Sequence, residues 1–115
     1  MKSTITKADL MQFTGTEHYY RHWTGRLVFT DGVRYVAETA GAFWLIDVVA
    51  SYQPVNAEFQ VWKLQKEGEA YAVICTDGDD VVLIKQELPF TDFPEDFMPF
   101  EMYFQNGVLF LTSEY

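Results

Sequence analysis

The segment that most constrains this fold is residues 33–53, where apolar side chains recur at the spacing of a helix. On a straight helix Val33, Val36 and Ala40 lie on one side, and the polar residues of the first half lie on another. Pro54 ends the segment, because proline has no amide hydrogen with which to continue the helical ladder. The pattern therefore predicts a central helical segment over residues 33–53.

Asp47 falls inside the apolar side of that straight helix. A carboxylate in such a place must be paired, or its pKa must rise until it is neutral. One interpretation is a structural anchor bonded to loop amides or to Arg21, His22 or Arg34. The other is a general acid or base in a pocket lined by Trp44. Gly41 keeps a third outcome open, because a break there would rotate Asp47 and expose it.

The second half of the chain changes to the period of a strand. Alternation and tight-turn signals predict five strands, over residues 58–66, 70–76, 81–88, 100–105 and 108–112. Because most of their connections are short hairpins, these strands predict an antiparallel meander. We expect the helical segment to pack on one face of this sheet. Its residues Trp44, Leu45, Val48 and Val49 should meet alternating strand residues, namely Phe59, Val61, Val73 and Leu83.

The residues before the central segment predict shorter elements. Residues 3–13 have the cap and charge pattern of a short N-terminal helix, and residues 27–30 form a short strand. Residues 16–23 fit a strand or a helical turn, with extended structure favoured, and Asp31-Gly32 forms a turn. The whole pattern predicts a single two-layer α+β domain spanning residues 1–115.

Composition bounds the class of protein. Of the 115 residues, 49% are hydrophobic and 17% aromatic, which excludes a disordered chain. The N-terminus carries no apolar signal region, the apolar run 40–46 is too short for a bilayer, and the single cysteine forms no internal disulfide. These features predict a cytoplasmic protein. The aromatic content exceeds what such a core readily hides, so we also expect self-association, most often as a two-fold dimer.

The net charge is confined to one half of the chain. Residues 1–57 carry five basic and five acidic side chains, whereas residues 58–115 carry three basic and twelve acidic ones and hence the whole net charge of −9. Phosphate groups need the opposite sign of charge, which argues against nucleic acid or an anionic membrane as a direct ligand. This charge favours a protein partner with a basic surface, although acidic surfaces commonly serve solubility alone.

The acidic residues are densest between Asp77 and Glu101, where eight of them accompany one basic residue, Lys85. Prolines restrain the later part of this segment, and phenylalanines alternate with its acids, as in an apolar anchor inside a charged rim. The pattern predicts a non-catalytic protein-binding module whose carboxylates imitate nucleic acid toward a basic partner. The alternative is a solvated loop whose phenylalanines pack inward. The predicted partner-binding residues are Asp79, Asp80, Phe90, Asp92, Phe93, Glu95, Asp96 and Phe97.

A pair of histidines supports the alternative function. His18 and His22 are four residues apart, which places both rings on one face of a helix or a strand. The metalloprotease pattern requires a glutamate directly after the first histidine, and Tyr19 stands there. We therefore assign no metal, cofactor or catalytic residue, and keep a small enzyme or metal-dependent hydrolase centred on His18, His22 and Asp47 as the alternative. The candidate polar site comprises His18, Arg21, His22, Trp44 and Asp47.

Several runs of the sequence carry a resemblance to a known family. They are TKADLMQFTGTEHYYRH, YVAETAGAFWLIDVVASYQ, FQVWKL, FTDFP and the terminal TSEY. Together they resemble a family of small bacterial and phage-borne proteins filed as a domain of unknown function. The resemblance covers essentially the whole chain and implies a single-domain architecture. It implies no activity, cofactor or site residue.

Overall fold

The computed structural model describes residues 18–55, 57–79 and 81–114, and the predicted N-terminal helix over residues 3–13 lies outside them. The described chain forms two short strands, two helices and five further strands. The strands are β1 (Tyr19–Arg21), β2 (Val28–Thr30), β3 (Phe59–Glu67), β4 (Ala70–Thr76), β5 (Val82–Leu88), β6 (Phe100–Gln105) and β7 (Val108–Leu111). The helices are α1 (Asp31–Ala40) and α2 (Phe43–Ser51), and short 3-10 turns cover Glu95–Phe97 and Thr112–Glu114.

The predicted helical segment 33–53 is helical and is divided into two helices at Gly41, an outcome that the sequence had left open. The Thr30 hydroxyl caps α1 by accepting a hydrogen bond from the amide three residues on, so Asp31 and Gly32 lie in the first helical turn instead of forming the predicted turn. Gly41 ends α1 in the left-handed conformation at φ 64°, which glycine adopts without a Cβ clash. Because of this break, the buried side of α2 is not in line with the buried side of α1.

All seven strands of the described residues form one mixed sheet in the order β1-β2-β7-β6-β3-β4-β5. The five predicted strands are β3 to β7, with bounds that agree to within one residue, and the short strand over residues 27–30 is confirmed as β2. The antiparallel meander is wrong: β1 and β2 extend the sheet, β2 runs parallel to β7, and β6 pairs with β3. A hairpin turn determines only that two strands consecutive in the chain are neighbours in the sheet. The longer connection from β5 to β6 instead crosses back over the sheet and places β6 beside β3.

The helices cover one face of the sheet. On β3 the buried side chains are Gln60, Trp62 and Leu64, of which Trp62 and Leu64 share the apolar core with both helices. Phe59 and Val61 lie on the opposite face and are half-buried, so the expectation that they meet the helices is wrong. Val73 lies in the core shared with the helices and Leu83 packs against that core, as expected. Alternation separates the two faces of a strand but does not say which face is covered.

The connection from β5 to β6 lies over one end of the helix-side face. Lys66 and Tyr71 are cross-strand neighbours of β3 and β4, and both contact the carboxylate of Glu95. The Tyr71 hydroxyl donates to it at 2.6 Å, and the Lys66 ammonium lies 3.3 Å from it. Phe93 is buried nearby, with its ring centroid 5.3 Å from that of Phe100. The crossover is therefore held by one polar and one apolar contact.

The turn after β7 ties α1 to the sheet. Glu114 accepts hydrogen bonds from the Thr30 hydroxyl at 2.6 Å, the Gly32 amide at 3.3 Å and the Leu111 amide at 2.8 Å. A carboxylate at the first turn of a helix is also favoured by the helix dipole. One side chain thus joins β2, α1 and β7.

Candidate functional site

The candidate polar site forms where β1 turns into β2. The side chain of His22 is 4% exposed, and its Nε2 lies 2.7 Å from Oδ1 of Asp47 on α2. The indole Nε1 of Trp23 donates to the same oxygen at 3.1 Å. Asp47 is 51% exposed, so its placement inside the apolar side is wrong and the outcome in which the break at Gly41 exposes it is confirmed.

The tautomer of His22 follows from the partner of its second nitrogen. The Thr24 amide donates to Nδ1 at 3.2 Å, so Nδ1 holds a lone pair and the ring proton lies on Nε2, facing Asp47. The Thr24 hydroxyl lies 2.7 Å from Nδ1 and accepts a hydrogen bond from the Arg26 amide. Thr24 was not among the predicted site residues. The signal for it in the sequence was a threonine two residues after the histidine, in a turn marked by Gly25.

His18 and Arg21, two other residues of the predicted polar site, lie apart from this cluster. His18 is adjacent to Asp31, with Nδ1 3.6 Å from Oδ2, and Asp31 also accepts a hydrogen bond from the Tyr20 hydroxyl. Arg21 is exposed. The fold therefore brings His22 to Asp47 but directs His18 to a different carboxylate. Within residues 18–55, 57–79 and 81–114, no group of three histidine, cysteine, aspartate or glutamate side chains is arranged to hold a metal ion.

The exposed side of α2 combines an aromatic residue, Phe43, with the two polar residues of the helix, Asp47 and Ser51. The helix reads FWLIDVVAS, with Asp47 and Ser51 as its polar residues, a composition typical of a helix buried on all sides. Phe43 is nevertheless 46% exposed, and Trp44 is half-buried. Trp23, which is 82% exposed, extends this side through its bond to Asp47. The result is an exposed aromatic area around one carboxylate.

Of the three phenylalanines predicted to anchor a partner, one faces solvent. Phe90 is 77% exposed. Phe93 is 2% exposed, and Phe97 is half-buried against the core, as the inward-packing alternative expects. Phe90 is therefore the phenylalanine of this segment that a partner can reach.

The predicted acidic residues lie at two ends of the sheet. Asp92, Glu95 and Asp96 are exposed in the β5–β6 crossover. The hydrogen bond from the tyrosine hydroxyl, and then the lysine contact, hold the pKa of the Glu95 carboxyl below its ordinary value. Asp79 is exposed in the turn before β5, and Asp80 lies outside the described residues. The crossover acids are thus separated from Asp79 by the length of β5.

A notch joins the two predicted sites. It encloses about 240 Å³ between α2 and the segment after β5, and it is lined by Trp44, Leu88, Phe90, Thr91 and Asp92. The sequence assigned Trp44 to the polar site and Phe90 and Asp92 to the partner site. The fold places them together because α2 packs beside the end of β5, a contact that no local pattern indicates.

A larger cleft, of about 640 Å³, lies beside the residues that come after α2 in the chain, and it was not predicted. Its lining includes Gln53 and Gln60, whose buried side-chain amides bond to each other at 2.9 and 3.3 Å. Trp62 donates to Gln60 at 2.9 Å. Cys75 lies beside them, and burial raises the pKa of its thiol to about 12, which fits a core side chain rather than a nucleophile. The buried side-chain amides of Gln53 and Gln60 thus satisfy each other.

These observations define a small α+β protein with a His–Asp pair beside an exposed aromatic area. Over residues 4–115 the chain matches the family of unknown function DUF6876, and it belongs to that family. The resemblance to an uncharacterised family is thereby confirmed. No curated protein and no solved structure matches the chain. In the part of the chain that the structure describes, every helix is too short or too polar to cross a membrane.

Proposed function

We propose that this chain is a non-catalytic protein-binding module that docks a partner on the outer side of α2. This docking surface is defined by Trp23, Phe43, Trp44, Asp47 and Phe90. The observation that carries the proposal is that Phe43 and Trp23, two large aromatic side chains beside Asp47, are 46% and 82% exposed. Covering such area with a partner is favourable by about 25 cal/mol per Å².

Trp23 suits the role of anchor because it is ordered before a partner arrives. Its indole donates to Asp47 at 3.1 Å, and its ring centroid lies 5.4 Å from that of His22. Tryptophan is enriched among the residues that dominate binding energy, and an ordered side chain loses less conformational entropy on binding. In this function His22 and Asp47 are positioning residues.

The partner that we propose has a basic surface. The chain carries a net charge of −9, and Asp47, Asp92 and Asp96 are exposed at or near the docking surface. A second copy would bring the same charge, which disfavours the homodimer at low salt. Nucleic-acid-binding proteins have surfaces of the required sign, and spaced carboxylates would occupy their phosphate sites.

The test begins with a pull-down from the native host, followed by affinity measurements on the purified partner. Trp23→Ala and Phe43→Ala should each weaken binding by roughly tenfold or more, as truncation of an interface anchor does. Val82→Ala removes apolar surface that is 57% exposed at the far end of β5, and it should leave the affinity unchanged. A partner that binds all three variants equally contradicts the proposal. Light scattering that shows a dimer dissociated by Trp23→Ala would assign the surface to self-association instead.

A small hydrolase is the second candidate, and one observation favours it: hydrogen bonds run from Asp47 through His22 to Thr24. Such a carboxylate–histidine–hydroxyl chain activates nucleophiles in many enzymes. Docking is favoured because the Thr24 amide occupies the Nδ1 lone pair and the imidazole is 4% exposed. Ester hydrolysis that disappears in Thr24→Ala and persists in Val82→Ala would support the hydrolase; equal rates in both variants would contradict it.

A further inference from the structure

We propose that the cleft of about 640 Å³ beside the residues after α2 binds a zwitterion with an apolar group, namely an apolar α-amino acid or a dipeptide of such residues. The lining comes from the connections β1–β2, α2–β3 and β6–β7 and from the neighbouring ends of β3 and β6. Its volume lies within the roughly 300–1,000 Å³ of ligand pockets. The cleft shares no described lining residue with the docking surface, so the two proposals stand or fall separately.

The described lining includes one cation, Arg26, and one anion, Glu58, and both are exposed. Arg26 donates from Nη1 to the carbonyl oxygen of Gln53 at 3.3 Å, which uses one of the five donor hydrogens of a guanidinium. Among the residues that the structure describes, neither charged side chain has an ion-pair partner. The cleft therefore presents opposite charges that do not neutralise each other.

These two charges select the ligand. A carboxylate on the ligand would accept hydrogen bonds from the guanidinium of Arg26, and an ammonium would donate to the carboxylate of Glu58. A simple anion would be attracted to Arg26 and repelled by Glu58, and the reverse holds for a simple cation. A zwitterion satisfies both side chains at once.

The buried part of the lining is held in place before a ligand binds. Gln53 is 7% exposed and Gln60 is 1% exposed, and besides their mutual bonds Oε1 of Gln53 accepts from the amide of Val55 at 3.2 Å. These bonds join the loop after α2 to β3, so little conformational entropy is lost on binding. Pro54, Val55 and Phe104 add apolar surface to the lining, which favours a ligand with an apolar group.

The test uses L-leucine and L-leucyl-L-leucine as probes, with amide chemical shifts of the full chain as the readout. Binding is expected on the order of millimolar, with the largest shifts at Ala57, Gln105 and Gly107, which line the cleft. Leucine methyl ester lacks the carboxylate and N-acetyl-leucine lacks the ammonium, so each should bind about fivefold more weakly or worse than leucine. The tighter of the two probes identifies the ligand as a free amino acid or as a short peptide.

Variants assign each end of the ligand to its side chain. Arg26→Gln should lose the preference for leucine over its methyl ester, because the guanidinium that distinguishes them is gone. Glu58→Gln should likewise lose the preference for leucine over N-acetyl-leucine. Glu69→Gln is the matched control: Glu58 directly precedes the nine residues of β3 and Glu69 follows them, a separation of roughly 30 Å. At that distance the charge is screened, and the affinity for leucine should not change.

Three results would overturn the inference. They are equal binding of leucine, its methyl ester and its N-acetyl form by the native chain, equal losses in Glu58→Gln and Glu69→Gln, and an absence of shifts in the cleft with either probe at tens of millimolar. Should Arg26→Gln fail to fold, the comparison of the three forms of leucine on the native chain still tests the inference, because it needs no variant.

Discussion

At the scale of single residues, Asp47 links a buried side chain to an exposed one. It accepts hydrogen bonds from His22, whose side chain is 4% exposed, and from Trp23, which is 82% exposed. The imidazole needs an acceptor because its Nε2 proton has little access to water. The indole gains a fixed orientation from the same oxygen. One carboxylate therefore satisfies a structural need and orders a surface aromatic.

We expect Asp47→Ala to destabilise the fold by about 1–2 kcal/mol, because the His22 donor is left without its acceptor. Trp23 should also become more mobile, which lowers its fluorescence anisotropy in a variant where the other two tryptophans are replaced by phenylalanine. Urea unfolding measures the free energy of unfolding. Asp47→Asn keeps an acceptor oxygen and should cost less; equal losses in both variants would show that charge, rather than the hydrogen bonds, is what matters.

At the scale of secondary structure, α1 depends on the contact between its first turn and the end of β7. A Cβ placed on Gly32 would lie 2.6 Å from Leu111 Cδ1 and 2.7 Å from Glu114 Oε1. The Glu114 carboxylate cannot move away without losing its bonds to Thr30 and to the two amides. Glycine is therefore required inside this helix by space rather than by backbone conformation.

The variant Gly32→Ala compares the free-energy cost of this clash with the gain in helix propensity. Alanine would gain up to about 1 kcal/mol in an unobstructed helix, whereas a clash in a packed site costs about 1–3 kcal/mol and here also disturbs three hydrogen bonds. We expect a net loss of about 1–2 kcal/mol in urea unfolding. The double variant with Glu114→Ala should lose less than the sum of the single losses, because the clash partner is gone. A more stable Gly32→Ala would contradict the packing argument.

The β5–β6 crossover is stabilised at Glu95, and this makes its stability depend on pH. The folded pKa of Glu95 lies below the ordinary value of 4.5, first because of the Tyr71 hydroxyl and then because of Lys66. The stabilisation is therefore present above the unfolded pKa and is lost as the pH falls through the lower folded value.

In urea unfolding, Glu95→Gln should be less stable than the native chain at pH 7, and the difference should vanish in acid below the folded pKa. Asp96→Asn, the neighbouring exposed acid, is the control for removal of charge alone. A difference between Glu95→Gln and the native chain that stays constant down to pH 3 would exclude the carboxylate contacts as its cause.

At the scale of the whole molecule, the net charge of −9 acts on any partner before contact. Opposite charges speed the encounter of two surfaces, and salt screens this attraction over a Debye length of about 8–10 Å at 0.1–0.15 M. The effect of each acid depends on its distance from the docking surface. Asp92 lines the notch and Asp96 follows it in the same crossover, whereas Asp79 lies beyond the opposite end of β5.

Asp92→Asn combined with Asp96→Asn should slow association with a basic partner by roughly threefold to tenfold at low salt, and less at high salt. Stopped-flow association rates at several salt concentrations measure this effect. Asp79→Asn removes one charge beyond the opposite end of β5 and should slow association less than Asp92→Asn alone. Equal slowing by these two single variants would mean that net charge alone, rather than a local surface, controls the encounter.

The sequence by itself determined strands β3 to β7 and the helical character of the segment 33–53, because these depend on residues close together in the chain. A capping threonine, a left-handed glycine, an Asn-Gly turn and two-residue alternation act over a few positions, so β3 to β7 agree with the prediction to within one residue. Family membership over residues 4–115 also follows from sequence alone.

Only the tertiary structure decided how these elements meet. The pairing of β6 with β3, the parallel contact of β2 with β7, the covered face of β3, and the meeting of Trp44 with Phe90 join residues far apart in the chain. Asp47 is exposed because the break at Gly41 shifts the phase of α2. The free energies of these contacts depend on which surfaces are buried against each other, and local periodicity contains no information about that choice.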